Sequence, residues 1–478
     1  MDVSLVAQAP KELLPDFGNP ISNELLENFA SDQLVIDCLT IKLIPQEPGD
    51  GVNPIEGVGL IHLRAASEFS LRMYSKEPLV DPFSELKKFA NRVPGEKISA
   101  SEFYDLEATD INGCIWKSEG LLISPVGSSR GTVVTAKFSM LTNTAEIDSR
   151  LPSVLNMYFF QPIEVAYTQY LETEVKQHGN TRLRSMQLGA APTSNPPSDF
   201  NFSKVDISHG TATLSVFSKS EAFPPAYETR IIEALRFVTL TPISYCIVSK
   251  QSDGIRYVEI NPKREYRRGI LSPAVPASRP ECAHDYWRLF HAYLGHAAEW
   301  DDSSTYHPLS SQMYNLINSS SNQLDLVSLL VAIAVEGVLN TEFPDVGRPS
   351  DTLLKNLKIL MKRVDKSTTL DKGFVERVRG ALNAMKNARP KDKLIELQTK
   401  LPISKGMIND WQRLRNTTTH SNVAMSAVDV SELYRQCNSV YALLNLLVFS
   451  AIEYSGQYTN YGKSKWPVEK FETKVPAA

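Results

Sequence analysis

The order of hydrophobic periods predicts an α+β chain of more than one domain, β-rich in its N-terminal region and all-helical in its C-terminal region. Short, β-branched, partly alternating runs occupy most of residues 33–248. Three prolines (Pro273, Pro276, Pro280) then punctuate ten residues, and beyond them the apolar positions recur at helical spacing.

In the first region, residues 34–44, 59–63, 69–74 and 132–138 read as strands separated by Gly, Pro, Asn and Asp clusters. The Asn112-Gly113 step predicts a tight hairpin turn, because both central positions of such a turn favour positive φ. Ile231, Ile232, Leu235 and Phe237 give residues 227–237 one apolar helical face. The polar stretch 179–202, with Pro196-Pro197, predicts an exposed loop. Residues 271–282 read as a Pro-rich connector. Helices are then expected over about 283–299, 324–340, 353–364, 374–385, 393–401 and 428–454. The predicted division is 1–270 as a β-rich N-terminal domain, 271–282 as linker, 283–456 as helical domain and 457–478 as tail.

At 478 residues, with 42% hydrophobic and 22% charged, the chain has the composition of globular protein and can form several domains. A net charge of −4 argues against a protein that coats nucleic acid over its whole surface, so any RNA contact is expected to be local. Five scattered cysteines, with no paired-ligand spacing, suggest neither a zinc site nor a disulfide framework and fit a reducing cytoplasm. Residues 1–17 lack the basic start and apolar core of a signal peptide. The apolar run 441–452 is too short to span a bilayer, so no membrane contact is expected. No P-loop, Rossmann glycine pattern or nucleophile elbow is present, and no cofactor is expected.

One segment reads as chemistry, Arg413-Leu414-Arg415-Asn416-Thr417-Thr418-Thr419-His420. A permanently charged guanidinium, an amide and an imidazole that titrates near neutrality suit cleavage of a phosphodiester without a metal. On a helix Asn416 and His420 are i and i+4 and share a face, with Arg415 about 100° round from Asn416. Spacing alone does not decide, because Arg279 and His284 repeat it beside the Pro-rich connector. The same residues also fit a helix end with a surface arginine. Glu336 is the only charge in the apolar run 327–339, so it either has a partner, of which Arg413 or Arg415 is the natural one, or falls on a solvent-facing strip. His284, His291, His296 and His307 lack metal-ligand spacing, and no metal site is expected. The basic-aromatic run 263–268 suits either phosphate contact or a solvated surface.

With these helices and residues placed, the region from about 283 to 456 resembles the HEPN superfamily of all-α domains. Its ribonuclease members carry an Arg-x4-6-His motif, often with a polar residue after the arginine, as in Arg415-Asn416-Thr417-Thr418-Thr419-His420. A long helix follows, and Glu336 occupies an upstream helix where many relatives have an acidic residue. A HEPN domain behind a β-rich region is similar to the ApeA-type anti-phage defence proteins of bacteria, in which HEPN is the toxic effector. The resemblance implies a metal-independent endoribonuclease acting in abortive infection. Arg415, Asn416 and His420 would be catalytic and Arg413, Glu336 and Thr419 supporting, with Arg413 and Arg415 both open as the principal arginine. It implies RNA as substrate, a homodimer through the helical domain, and a phage-derived trigger or a separate antitoxin as control. The alternative is a non-catalytic HEPN scaffold for binding or dimerisation.

Overall fold

The computed structural model describes residues 21–47, 54–64, 68–75, 95, 97–128, 131–161, 163–166, 169–177, 180–190, 198–204, 212–218, 222–264, 269–300, 302, 305–319, 323–366, 371–419 and 430–472. For 64, 127–128, 169–177, 180–190, 198–204, 217–218, 280 and 417–419 this description covers the backbone alone. Two compact units result: residues 1–163, 169–223 and 244–265 form one, and 164–168, 224–243 and 266–478 the other. The helix predicted around 227–237 therefore belongs with the C-terminal helices, not with the strands that flank it in sequence.

The first unit is an antiparallel sheet. Six strands, β1 (Val35–Pro45), β2 (Ile55–Arg64), β3 (Glu68–Ser75), β4 (Phe103–Asp110), β5 (Ile115–Ser128) and β6 (Gly131–Phe138), run in the order β4-β1-β2-β3-β6-β5, and a further β4–β5 pairing closes them into a barrel. Alternation gives the barrel its apolar interior: Ile61, Leu71, Met73, Leu106, Ala108, Trp116, Val134 and Ala136 are buried, while their neighbours along each strand are more exposed. Gly57 and Gly59 sit where a Cβ would lie 2.4 Å from the Tyr74 carbonyl oxygen and 2.1 Å from that of Arg72. Only glycine lets β2 approach β3 this closely. The β4–β5 turn is the one expected at Asn112-Gly113, with Gly113 at φ +81. It is organised by buried Asp110, whose Oδ1 accepts from the amides of Asn112 (2.8 Å) and Cys114 (2.9 Å) and whose Oδ2 accepts from Trp116 Nε1 (2.9 Å).

Beyond the barrel the sheet continues through β7 (Leu141–Glu146), β14 (Ile255–Ile260), β13 (Ile247–Ser252), β8 (Ser153–Phe159), β12 (Ala212–Ser218), β11 (Ser198–Lys204), β10 (Asn180–Ala190) and β9 (Gln169–Gln177). The stretch expected as an exposed loop over 179–202 thus contributes β10 and part of β11. Its backbone groups are taken up by antiparallel ladders, which need no apolar face to form. A short helix, α1 (Asn23–Ala30), is capped by Ser22, whose Oγ accepts from the Leu25 amide at 3.0 Å, and it buries Leu26 and Phe29.

The second unit holds α2 (Tyr227–Thr239), α3 (Ala283–Ala298), α4 (Pro308–Ser319), α5 (Leu324–Thr341), α6 (Asp351–Asp365), α7 (Lys372–Ala384), α8 (Pro390–Leu397), α9 (Lys405–Thr419) and α10 (Val430–Ala451). Its centre is α5 against α10, with α4 and α9 packed on α5 and α9 also on α10. Among the described residues α5 is the one helix apolar and long enough to cross a bilayer, yet Val327, Val331, Val335 and Val338 are buried within this bundle. Lys393, itself buried, donates from Nζ to the carbonyls of Leu339 (2.9 Å) and Phe343 (3.0 Å) and so closes the C-terminal end of α5. The Pro-rich segment is packed here as well as connecting: Leu271, Ala274 and Val275 are buried. The C-terminal stretch is a hairpin more than a tail, β15 (Gly456–Thr459) pairing with β16 (Val468–Phe471). Tyr461 donates to the Pro273 carbonyl at 3.0 Å and the Thr459 amide to that of Ala274 at 2.7 Å, which ties the hairpin to the Pro-rich segment.

Candidate functional site

Helix α9 carries the motif. Ser404 Oγ accepts from the Met407 amide at 3.2 Å to open it, and Met407, Ile408, Trp411 and Leu414 form its buried face. Trp411 donates from Nε1 to the Ala332 carbonyl of α5 at 3.1 Å, fixing the height of α9 against that helix. One turn on, Arg415 forms an ion pair through Nε with Glu336 of α5, and its guanidinium lies over the Trp411 ring with Cζ 6.0 Å from the centroid. Of the two arginines that the sequence left open as the partner of Glu336, this structure joins Arg415. The pair is part-exposed, Arg415 at 51% and Glu336 at 26%.

Arg413, on the exposed side of α9, lies close enough to Glu432 of α10 to favour its charged form. Arg435 is the main partner of Glu432, at 2.7 Å, and holds that carboxyl down to about 2, with help from Gln436. The same guanidinium grips buried Asp410 of α9 through two bonds of 3.1 and 3.0 Å. Two charged links, Arg415–Glu336 and Asp410–Arg435, thus hold α9 on both α5 and α10. Asn416 is exposed beside Arg415. Thr419 ends the helix with its backbone alone described, and His420 lies outside the described residues.

The sequence reading missed a second polar centre. Arg230 and Glu233 of α2 are both buried and paired at 2.8 Å. Glu233 also accepts from the His307 amide (3.1 Å) and from Ser310 Oγ (3.0 Å), and Arg230 donates to the carbonyls of Asp302 (2.7 Å) and Thr305 (3.1 Å). Burial pushes the Glu233 carboxyl up, against the pull of Arg230. Beside this centre His296, His307 and Glu342 bring one ligand atom each to within 4.8 Å of one another, so two of the four histidines weighed as metal ligands do meet. His296 Nε2 lies 3.1 Å from Glu342 Oε2. The Leu309 amide donates to His307 Nδ1 at 3.1 Å, which leaves the neutral ring's proton on Nε2. A cation bound at Nε2 would have to break that bond, so the group fits a hydrogen-bonded cluster better than a metal site.

In the basic run at 263–268, Lys263 is committed locally and Arg264 is exposed. Lys263 Nζ donates to the Ala30 carbonyl (2.6 Å) and to Asp32 (2.7 Å), closing α1, while 265–268 lie outside the described residues. The barrel carries a concavity of about 850 Å³ whose lining includes Leu39, Lys42, Val58, Tyr74 and Val133, and the helical unit one of about 210 Å³ between Arg279, Tyr286, Tyr461 and Trp466. Among the described motif residues, Arg413, Arg415 and Asn416 line neither. Compared with known proteins, the chain matches no family, no curated protein and no solved structure.

Proposed function

We propose that the helical unit is a metal-independent endoribonuclease of the HEPN type and that the β-rich unit controls it. The observation that carries this reading is Arg415 on the last turns of α9, joined to Glu336 of the core helix α5. An arginine so oriented, half-exposed and backed by an aromatic ring, suits an anionic phosphate, which its planar fork can grip through two oxygens. In the proposed reaction a base removes the proton from a ribose 2′-hydroxyl and O2′ attacks the adjacent phosphorus. The P–O5′ bond breaks as O5′ takes up a proton, leaving a 2′,3′-cyclic phosphate and a 5′-hydroxyl. His420 serves as base or acid, Arg415 stabilises the charge of the phosphorane-like transition state, and Asn416 orients the imidazole or the phosphate. Arg413 and Thr419 support them.

On this reading the protein is a toxic effector of anti-phage defence in the cytoplasm, active as a homodimer through the helical unit and released by a phage-derived trigger or from an antitoxin. The test is growth arrest on expression and cleavage of RNA by the purified protein, both lost in Arg415→Ala and His420→Ala. A second reading, a non-catalytic scaffold, draws on the same ion pair, since Arg415 stacked on Trp411 and bound to Glu336 also serves to strap α9 to α5. Under that reading the wild-type protein cleaves nothing and Arg415→Ala changes stability alone.

A further inference from the structure

Helices α6 and α7 stand apart from the core of the helical unit: α6 buries only Leu357 and α7 buries no residue. They pack on each other, and the buried or half-buried apolar positions, Leu354, Leu357, Met361 and Val364 on α6 and Val375, Val378 and Leu382 on α7, recur at helical spacing and mark the seam. That seam does not use up their apolar residues. Leu353 (38% exposed), Leu360 (46%), Phe374 (53%) and Met385 (38%) remain open to solvent, and so does Ile359 (51%) on the side of α6 away from the seam. On ideal helices the first four lie roughly 50–80° round from the seam, in the same rotational sense. Because consecutive helices joined this closely run antiparallel, rotation in one sense brings both rows to the same face of the hairpin. Arg363 and Arg377, both exposed, come next round each helix and border that strip.

The charge of the hairpin is as unusual as its surface. From Asp351 to Arg389 the sequence has ten Lys and Arg against four Asp and Glu, a local +6 in a chain of net −4, so that the rest carries −10. Arg379 is paired with Asp365 at 2.6 Å, which neutralises one of these cations. Three occupants can be compared on these facts. A second copy of the hairpin would cover the apolar strip but bring +6 against +6. An RNA backbone would answer the charge and leave Leu353, Leu360 and Met385 in water. An anionic lipid surface answers both, because acyl chains accept the apolar strip while headgroups meet the cations.

We infer that the α6–α7 hairpin docks the protein on an anionic membrane surface, in place of the absence of membrane contact expected from the sequence. The strip Leu353, Leu360, Phe374 and Met385 enters the interface, and Arg363 and Arg377 meet the headgroups at its rim. This surface is separate from the motif on α9 and stands whether or not the chain cleaves RNA. The test is co-sedimentation of the full-length protein with vesicles of phosphatidylcholine alone and with phosphatidylglycerol added. Binding is expected only to the second and should weaken as salt rises. Leu360→Ser/Phe374→Ser and Arg363→Glu/Arg377→Glu, at exposed positions and each with a wild-type Tm, are each expected to lower partitioning by about tenfold or more. No binding of the wild type to phosphatidylglycerol vesicles, or equal binding of both variants, overturns the inference. So does a hairpin that instead binds an RNA homopolymer in a manner lost only in the charge variant, or one that self-associates in a manner lost only in the serine variant.

Discussion

Replacing Arg230 by methionine tests the energetics of the helical unit. Arg230 and Glu233 are each 1% exposed at the side chain, and removing one partner leaves the other charge buried without its counter-ion. The expected loss is about 3–5 kcal/mol, because the uncompensated charge must be protonated, hydrated by local opening, or left at high cost. Glu233→Gln should cost about 3 kcal/mol: the amide keeps partners in Ser310 and the His307 amide, and Arg230 keeps the carbonyls of Asp302 and Thr305. The double replacement Arg230→Met/Glu233→Leu should fall well short of the sum of its single changes, since both charges leave together. Arg379→Met is the control within the same unit. Its partner Asp365 is as close, at 2.6 Å, but the side chains are 48% and 40% exposed, so the pair is worth less than about 1 kcal/mol. The assay is urea unfolding followed by circular dichroism at helical wavelengths, compared through midpoints at constant slope. A loss in Arg230→Met no greater than in Arg379→Met would refute the idea that this node anchors the unit.

Three further outcomes are expected. Burial holds the imidazoles of His291 and His307 down to about 4 against an ordinary 6.5, so the unfolded chain takes up protons there that the fold refuses; stability should fall as pH drops from about 6.5 to 4, by up to about 3 kcal/mol per histidine, and His291→Leu should flatten the profile. Glu336→Gln should lower stability by about 1 kcal/mol or less, because the ion pair is part-exposed, yet should cut RNA cleavage sharply if Glu336 aims Arg415; a stability change with unaltered kcat and KM would make the pair a strap only. If the active form is a homodimer with a composite site, mixing Arg415→Ala with His420→Ala should restore some cleavage and specific activity should rise with protein concentration, whereas a monomer equally active at all dilutions would exclude that arrangement.

Much of this architecture was open to a reading of periods and turn residues. The alternation of Ile36 with Cys38, resumed at Ile41 and Leu43 after a bulge, marks β1, and Asn112-Gly113 marks the turn after β4, because side-chain burial and positive φ are local demands. Closure of the barrel was not legible, since it depends on β4 pairing with both β1 and β5, a non-local match that no single strand encodes. The strands β10 and β11 were hidden by their polar composition, as ladder hydrogen bonds do not depend on side-chain type. At the site, the isolation of Glu336 among apolar residues pointed either to a cation or to a solvent-facing strip, because a carboxylate in such a run is costly unless paired or hydrated, and the part-exposed pair with Arg415 answers to both. Arg230 and Glu233 carried the same signal in milder form, two opposite charges three residues apart inside an apolar-faced helix, but the partners that make them a node, His307 and Ser310, lie in a distant segment. Nothing in the local sequence joins them.

Incubating the purified full-length chain with single-stranded RNA in EDTA, and identifying the ends of the products, decides whether this is a metal-independent ribonuclease. Fragments ending in 2′,3′-cyclic phosphate and 5′-hydroxyl are expected from the wild type and none from Arg415→Ala or His420→Ala, whose melting curves remain close to wild type. Cleavage that EDTA abolishes and Mg²⁺ restores, or cleavage retained in both variants, would contradict that reading.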